Sequence, residues 1–139
     1  MVAALDKDTL QFNSLNTNDS YTFSSGDGAV QIQDNGGDDT LQINADILNT
    51  VFYRNGDNLN ICLNNSNDIL TINNWFADTA NQIETINSSD GYTLSNNQVQ
   101  LLIENIASYT QSNNISWADA IQQDSVGVQS VLQQIWVKQ

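Results

Sequence analysis

A strand-and-turn unit recurring every 9 to 11 residues is the feature of this sequence that most limits its fold. The motif D-T-L-Q-F begins at Asp8, D-S-Y-T-F at Asp19, V-Q-I-Q at Val30 and D-T-L-Q-I at Asp39, with spacings of 11, 11 and 9 residues. Apolar residues stand two apart within the copies, as in Leu10 and Phe12, Tyr21 and Phe23, and Leu41 and Ile43, which is the period of a strand with one buried face. Between the copies lie S-L-N-T-N, S-S-G-D-G and D-N-G-G-D, which is turn chemistry. So short a unit cannot bury its own apolar side, so neighbouring copies must stack. Residues 1–48 therefore predict a short parallel β-roll.

The texture changes after residue 48. Over residues 49–95, alternating stretches such as N-L-N-I-C-L from Asn58 and D-I-L-T-I from Asp68 predict antiparallel or mixed strands capping the roll. Trp75, Phe76, Ile83 and Ile86 form its hydrophobic plug, and a solenoid needs such a cap on its open end. Over residues 96–139 the period becomes helical. Val99, Leu102, Ile103, Ile106 and Thr110 predict a helix over about 96–110, with Ser95 and Gln98 as a capping box. Ser116 with Asp119 starts a short second helix. Asp124 caps a last one whose apolar face is Val128, Val131, Leu132, Ile135 and Trp136, with Gly127 weakening its first turn. That face either packs on the domain or serves a partner. The expected architecture is mainly β, a short parallel roll with a β cap and an α-helical tail.

Composition removes whole classes of function. Three Lys+Arg against 16 Asp+Glu, a net charge of -13, cannot neutralise phosphates, so nucleic acid and anionic membrane are not expected partners. No run approaches about 18 apolar residues, so no stable membrane insertion is expected. The first residues, MVAALDKDTLQF, carry no export leader of the cleaved type. With no His and the single Cys62, a zinc site, a His acid/base pair, a Cys/His nucleophile and an internal disulfide are excluded. Only Arg54 is near Cys62 in sequence to activate it, so Cys62 reads as a bystander thiol. The carboxylate pairs Asp38/Asp39 and Asp6/Asp8 sit in a periodic array of solvated turns, unlike the desolvated pair of a hydrolase, and the chain reads as a non-enzyme.

What the acidity does point to is oxygen-rich turns. Asp6, Asp8, Asp19, Asp27, Asp34, Asp38, Asp39 and Asp46 crowd the first third of the chain beside Gly26, Gly28, Gly36 and Gly37. Aspartate with glycine favours turns and calcium loops rather than helix surfaces.

The D-x-(large apolar) unit after a glycine-rich turn resembles the nonapeptide G-G-x-G-x-D-x-U-x of RTX (repeats-in-toxin) haemolysin-type calcium-binding proteins. N-D-S-Y-T-F-S-S-G-D-G and D-N-G-G-D-D-T-L carry the likeness in the repeats. G-D-N-L-N-I-C-L, D-I-L-T-I-N-N-W-F, N-Q-I-E-T-I and D-G-Y-T-L carry it on into the haemolysin-related module that follows such repeats. The ending S-V-L-Q-Q-I-W-V-K-Q is similar to the apolar C-termini of type I-secreted Gram-negative exoproteins. The resemblance implies a secreted, extracellular, non-catalytic module of a toxin or other exoprotein that passes through the type I secretion machinery unfolded and folds when calcium binds outside. Dense Asp repels itself, and a divalent ion removes that repulsion only in the folded state. Asp19 and Asp39, two turns apart, form the best expected pair, with Asn16, Asn18, Gly37 and Asp38 supplying nearby oxygens. Across the roll Asp8 faces a turn that lacks the repeat's Asp, where Asp27 and Gly28 remain close. Affinity on the order of 10⁻⁴ to 10⁻³ M suits an extracellular module. The competing readings are a binding or adhesion module for a cell-surface polysaccharide or protein, with calcium as structural support, and a calcium-independent spacer. Unpaired edge strands leave monomer or weak dimer open.

Overall fold

The computed structural model describes residues 10–13, 19–33, 36–64 and 66–138. Asp8, Asn16 and Asn18 lie outside the described residues. Four short strands come first: β1 (Leu10–Asn13), β2 (Ser20–Phe23), β3 (Ala29–Gln33) and β4 (Thr40–Ile43). They alternate between two sheets, β1 pairing parallel with β3 and β2 parallel with β4. Leu10 lies opposite Val30 and Tyr21 opposite Leu41, the same 20-residue offset in both sheets. Two stacked units thus make one full coil, as a period too short to bury its own face requires. Tyr21, Phe23, Val30, Ile32, Leu41 and Ile43 point inward at 2% exposure or less.

A 3₁₀ turn at Ile47–Asn49 leads into β5 (Thr50–Asn55) and β6 (Asn58–Leu63), an antiparallel hairpin inserted before the coil path resumes. Gly56, at φ 62, makes its tight turn. β7 (Ile69–Ile72) then returns parallel to β3, and β8 (Thr85–Asn87) parallel to β4. β9 (Tyr92–Ser95) folds back antiparallel on β8. The result is two five-stranded sheets: one ordered β1-β3-β7-β6-β5, the other led by the final strand β10 (Val137–Lys138), then β9-β8-β4-β2. Between β9 and β10 come α1 (Val99–Asn113), α2 (Trp117–Gln123) and α3 (Ser125–Gln133). Strands and helices take comparable shares of the described residues, so the fold is mixed, β-rich with C-terminal helices, rather than mainly β.

One core joins sheets and helices. Trp75, Ile83 and Ile86 are buried to 1% or less as the expected plug, whereas Phe76 is half-buried beneath the Arg54 guanidinium, 4.5 Å from its ring centre. Val128, Leu132, Ile135 and Trp136 all turn inward, so the last helix packs on the domain; Trp136 meets Phe52 edge-on at 5.8 Å.

The helix starts are partly as expected. Ser116 accepts from the Asp119 amide at 3.1 Å and Asp124 from the Gly127 amide at 3.2 Å, both as N-caps. The capping box at Ser95 does not form: a 3₁₀ turn, Asn96–Gln98, intervenes, and the Ser95 hydroxyl donates to Asn97 at 2.7 Å instead. Gly127 is also more than a weak helix former. A Cβ there would run into the Asp124 carboxylate that caps the helix. That carboxyl is held below its ordinary pKa, first by the Tyr109 hydroxyl and then by the Gly127 amide.

Candidate metal centre at the coil turns

The pairing of β2, β4 and β8 places Ser20, Thr40 and Thr85 side by side, and so sets Asp19, Asp39 and Glu84 at equivalent positions just before three neighbouring strands. A backbone N–H at the mouth of a strand needs an acceptor when buried. Here the coil above provides it. Asp39 Oδ1 accepts from the Asp19 amide at 2.8 Å, and Glu84 Oε1 accepts from the Asp39 amide at 2.8 Å. The strand ladder continues beside them, Thr40 N donating to the Asp19 carbonyl at 2.9 Å and Thr85 N to the Asp39 carbonyl at 3.1 Å. Each carboxylate therefore clips two coils together through a charge-assisted hydrogen bond.

The opposite rim works the same way with different residues. Ala29 lies opposite Ile69, so Gly28 and Asp68 are equivalent. Asp68 fills the function of the aspartate that position 28 lacks: Oδ1 accepts from Gly28 N at 2.7 Å, and Oδ2 from Gly26 N at 2.9 Å and from the Ser66 hydroxyl. Gly26 and Gly28 sit at φ 96 and 76, a backbone that side chains rarely tolerate and that turns both N–H groups toward one carboxylate.

Two acids on these rims have unmet needs. Asp39 is 0% exposed and its Oδ2 has no hydrogen-bond partner. Asp27 is 1% exposed; its Oδ2 accepts from the Ser24 amide at 2.8 Å, but its Oδ1 has none. A buried anionic oxygen without a donor or cation is costly. The chain's described cations are committed elsewhere: Arg54 to Asp57 and Phe76, Lys138 to the Asp90 carbonyl and Tyr92. Among the described residues, no three of His, Cys, Asp or Glu converge. A calcium ion, which takes six to eight oxygens, would thus draw on one unsatisfied buried carboxylate per rim and otherwise on turn carbonyl and side-chain oxygens. The orphaned hard oxygens of Asp39 and Asp27 fit such an ion.

The expected site residues are distributed accordingly. Asp19 and Asp39 are neighbours, joined through the Asp19 backbone N–H, which donates to the Asp39 carboxylate. Gly37 and Asp38 are exposed in the turn leading to Asp39. Asp27 and Gly28 occupy the other rim, with Asp68 above them. Glu84 and Asp68 were not expected, yet E-T-I at 84–86 and D-I-L at 68–70 are two more copies of the repeat's D-T-L. Their offsets of 45 and 40 residues from Asp39 and Gly28, stretched by the β5–β6 hairpin, hide them from a search at 9 to 11. Cys62 is half-buried, its thiol pushed up by burial and only partly offset by the Tyr53 hydroxyl, so it is a poor nucleophile.

No curated protein matches the chain. Residues 58–98, which run from β6 to the threshold of α1 and carry both Asp68 and Glu84, match the haemolysin-type calcium binding protein related domain, and over that stretch the resemblance to RTX-type calcium-binding proteins is supported.

Proposed function

We propose that this chain is the non-catalytic C-terminal module of an RTX-type secreted toxin or exoprotein: a short calcium-stabilised parallel β-roll (1–48), a β cap (49–95) and a helical tail (96–139) bearing a type I secretion signal. The buried, unpartnered Oδ2 of Asp39 carries the reading, set as it is among parallel coils beside a stretch that matches the haemolysin-related domain. Calcium, when bound, supplies positive charge to turns that have none. On one rim Asp39 would hold an ion, with Asp19, Gly37, Asp38, Asn16 and Asn18 as neighbouring oxygens; on the other Asp27 would hold one, with Gly28 and Asp8. The chain's own residues do the rest: Asp39, Glu84 and Asp68 fix the distance between coils through backbone amides, which sets the turns that an ion would bridge. In calcium-poor cytosol the self-repelling acidic segment stays loose; in millimolar external calcium the folded state wins. Ile135 and Trp136 are buried in the fold, so an exporter reading the end of the chain would meet them only before folding.

A second reading, an extracellular binding or adhesion module for a polysaccharide or protein, draws support from Tyr53 and Ile69, 39% and 36% exposed on the outer face of one sheet. Calorimetric titration tests the calcium site on which the first reading depends. The proposal expects calcium to bind with a Kd on the order of 10⁻⁴ to 10⁻³ M, magnesium much more weakly, and Asp39→Asn to weaken calcium at least about tenfold by removing roughly 1.4 kcal/mol or more. A titration with no calcium heat or saturation would overturn the proposal.

A further inference from the structure

A groove of about 640 Å³ lies between the edge strand β5 and the corner where α1 gives way to α2, a size ordinary for small-molecule sites. β5 supplies Tyr53 to one wall; α1 and the turn into α2 supply Ile106, Gln111, Asn114, Ile115 and Trp117 to the other. Among the described residues no Asp, Glu, Lys or Arg lines it, although the chain carries a net charge of -13. An ionic ligand would therefore leave its own charge unpaired there, and a wholly apolar one would cover neutral polar groups without replacing their water.

Four side chains on these walls keep hydrogen-bonding capacity that the fold does not use. The Tyr53 hydroxyl accepts from Asn60 Nδ2 at 3.1 Å and from Cys62 Sγ at 3.8 Å, which fixes the ring, 39% exposed, and leaves its own proton to donate. The Trp117 indole, 7% exposed, packs edge-on against Tyr109 at 5.6 Å, and its Nε1 is buried with no acceptor. A buried N–H of this kind ordinarily has a partner. The side-chain amides of Gln111 and Asn114 are exposed and make no hydrogen bond among the described residues. Asn114 closes α1 in the left-handed region, at φ 51.

Neutral sugars match this set. Their C–H faces pack on aromatic rings and aliphatic side chains, and their hydroxyls donate and accept at once, as carboxamides do. We infer that the groove between β5 and the α1–α2 corner binds a neutral oligosaccharide, with a sugar ring against Tyr53 and its oxygens on Gln111, Asn114 and the Trp117 N–H. The inference rests on the binding-module reading above, to which it gives a place and a ligand class, and it is independent of the calcium site.

Native electrophoresis of the full chain in calcium, through gels holding dextran, laminarin, xyloglucan or galactomannan, tests this, because so acidic a chain migrates fast while a neutral glycan stays in place. At least one of the four is expected to retard the chain saturably, and the anionic polygalacturonate is not. Tyr53→Ala should weaken that retardation about tenfold. Gln111→Ala and Trp117→Phe should each weaken it about threefold or more, as should Asn114→Gly, which keeps the positive φ and removes only the amide. Ile69→Ala, on the open sheet outside the groove, should leave it unchanged. Retardation lost in Ile69→Ala but kept in Tyr53→Ala and Gln111→Ala would overturn the groove while a binding module remained. No retardation by any of the four glycans, or retardation by polygalacturonate alone, would overturn the neutral-sugar inference itself.

Discussion

Asp68→Ala is expected to cost about 2–4 kcal/mol in calcium, because it strands two partly buried backbone donors at once. The Gly26 and Gly28 amides converge on this carboxylate at 2.9 and 2.7 Å, from a turn whose positive φ angles leave them few other conformations. Nothing else shown in that turn replaces an acceptor that arrives from 40 residues away. Asp68→Asn should lose about 1–3 kcal/mol, since its amide nitrogen would face one of the two N–H donors while its oxygen still served the other. Urea unfolding in calcium measures both. A loss below about 0.5 kcal/mol for the alanine variant would mean that Asp68 is a surface acid and not the clip between coils.

Trp136→Ala should be the most damaging substitution at the C-terminal end, at about 3–5 kcal/mol, or roughly 10–15 °C in melting temperature. The indole is 2% exposed, packs edge-on against Phe52, and sits between α3 and the edge strand β10. Its Nε1 has no hydrogen-bond partner, so the effect is one of packing. Trp136→Phe should therefore cost under about 2 kcal/mol. A mild effect of the alanine variant would show that the last residues are an appendage to the fold.

Much of this architecture was legible in the residues. Period-two apolar patterning with Asp, Asn and Gly between gave each early strand within a residue or so, because burial on one face leaves few alternatives. Ser116 and Asp124 were readable as caps because a side-chain acceptor three residues before its donor is a local device. What sequence could not show is register. Glu84 belongs with Asp39, and Asp68 with Gly28, only because β8 pairs with β4 and β7 with β3 after an intervening hairpin. The apolar face of the last helix allowed a partner surface as readily as packing until Phe52, 84 residues upstream, was seen to cover Trp136. The two needy oxygens of Asp39 and Asp27 were likewise hidden, since which acids are compensated by amides depends on the coil above.

The most direct test of calcium-coupled ordering is thermal melting followed by far-UV circular dichroism in EDTA, then in calcium from about 0.1 to 10 mM, with magnesium as control. The account predicts that calcium alone adds strand signal and raises the melting temperature of the coils, and that Asp39→Ala with Asp27→Ala abolishes the gain while leaving the EDTA spectrum unchanged. Identical spectra and melting curves in EDTA and in calcium would contradict it.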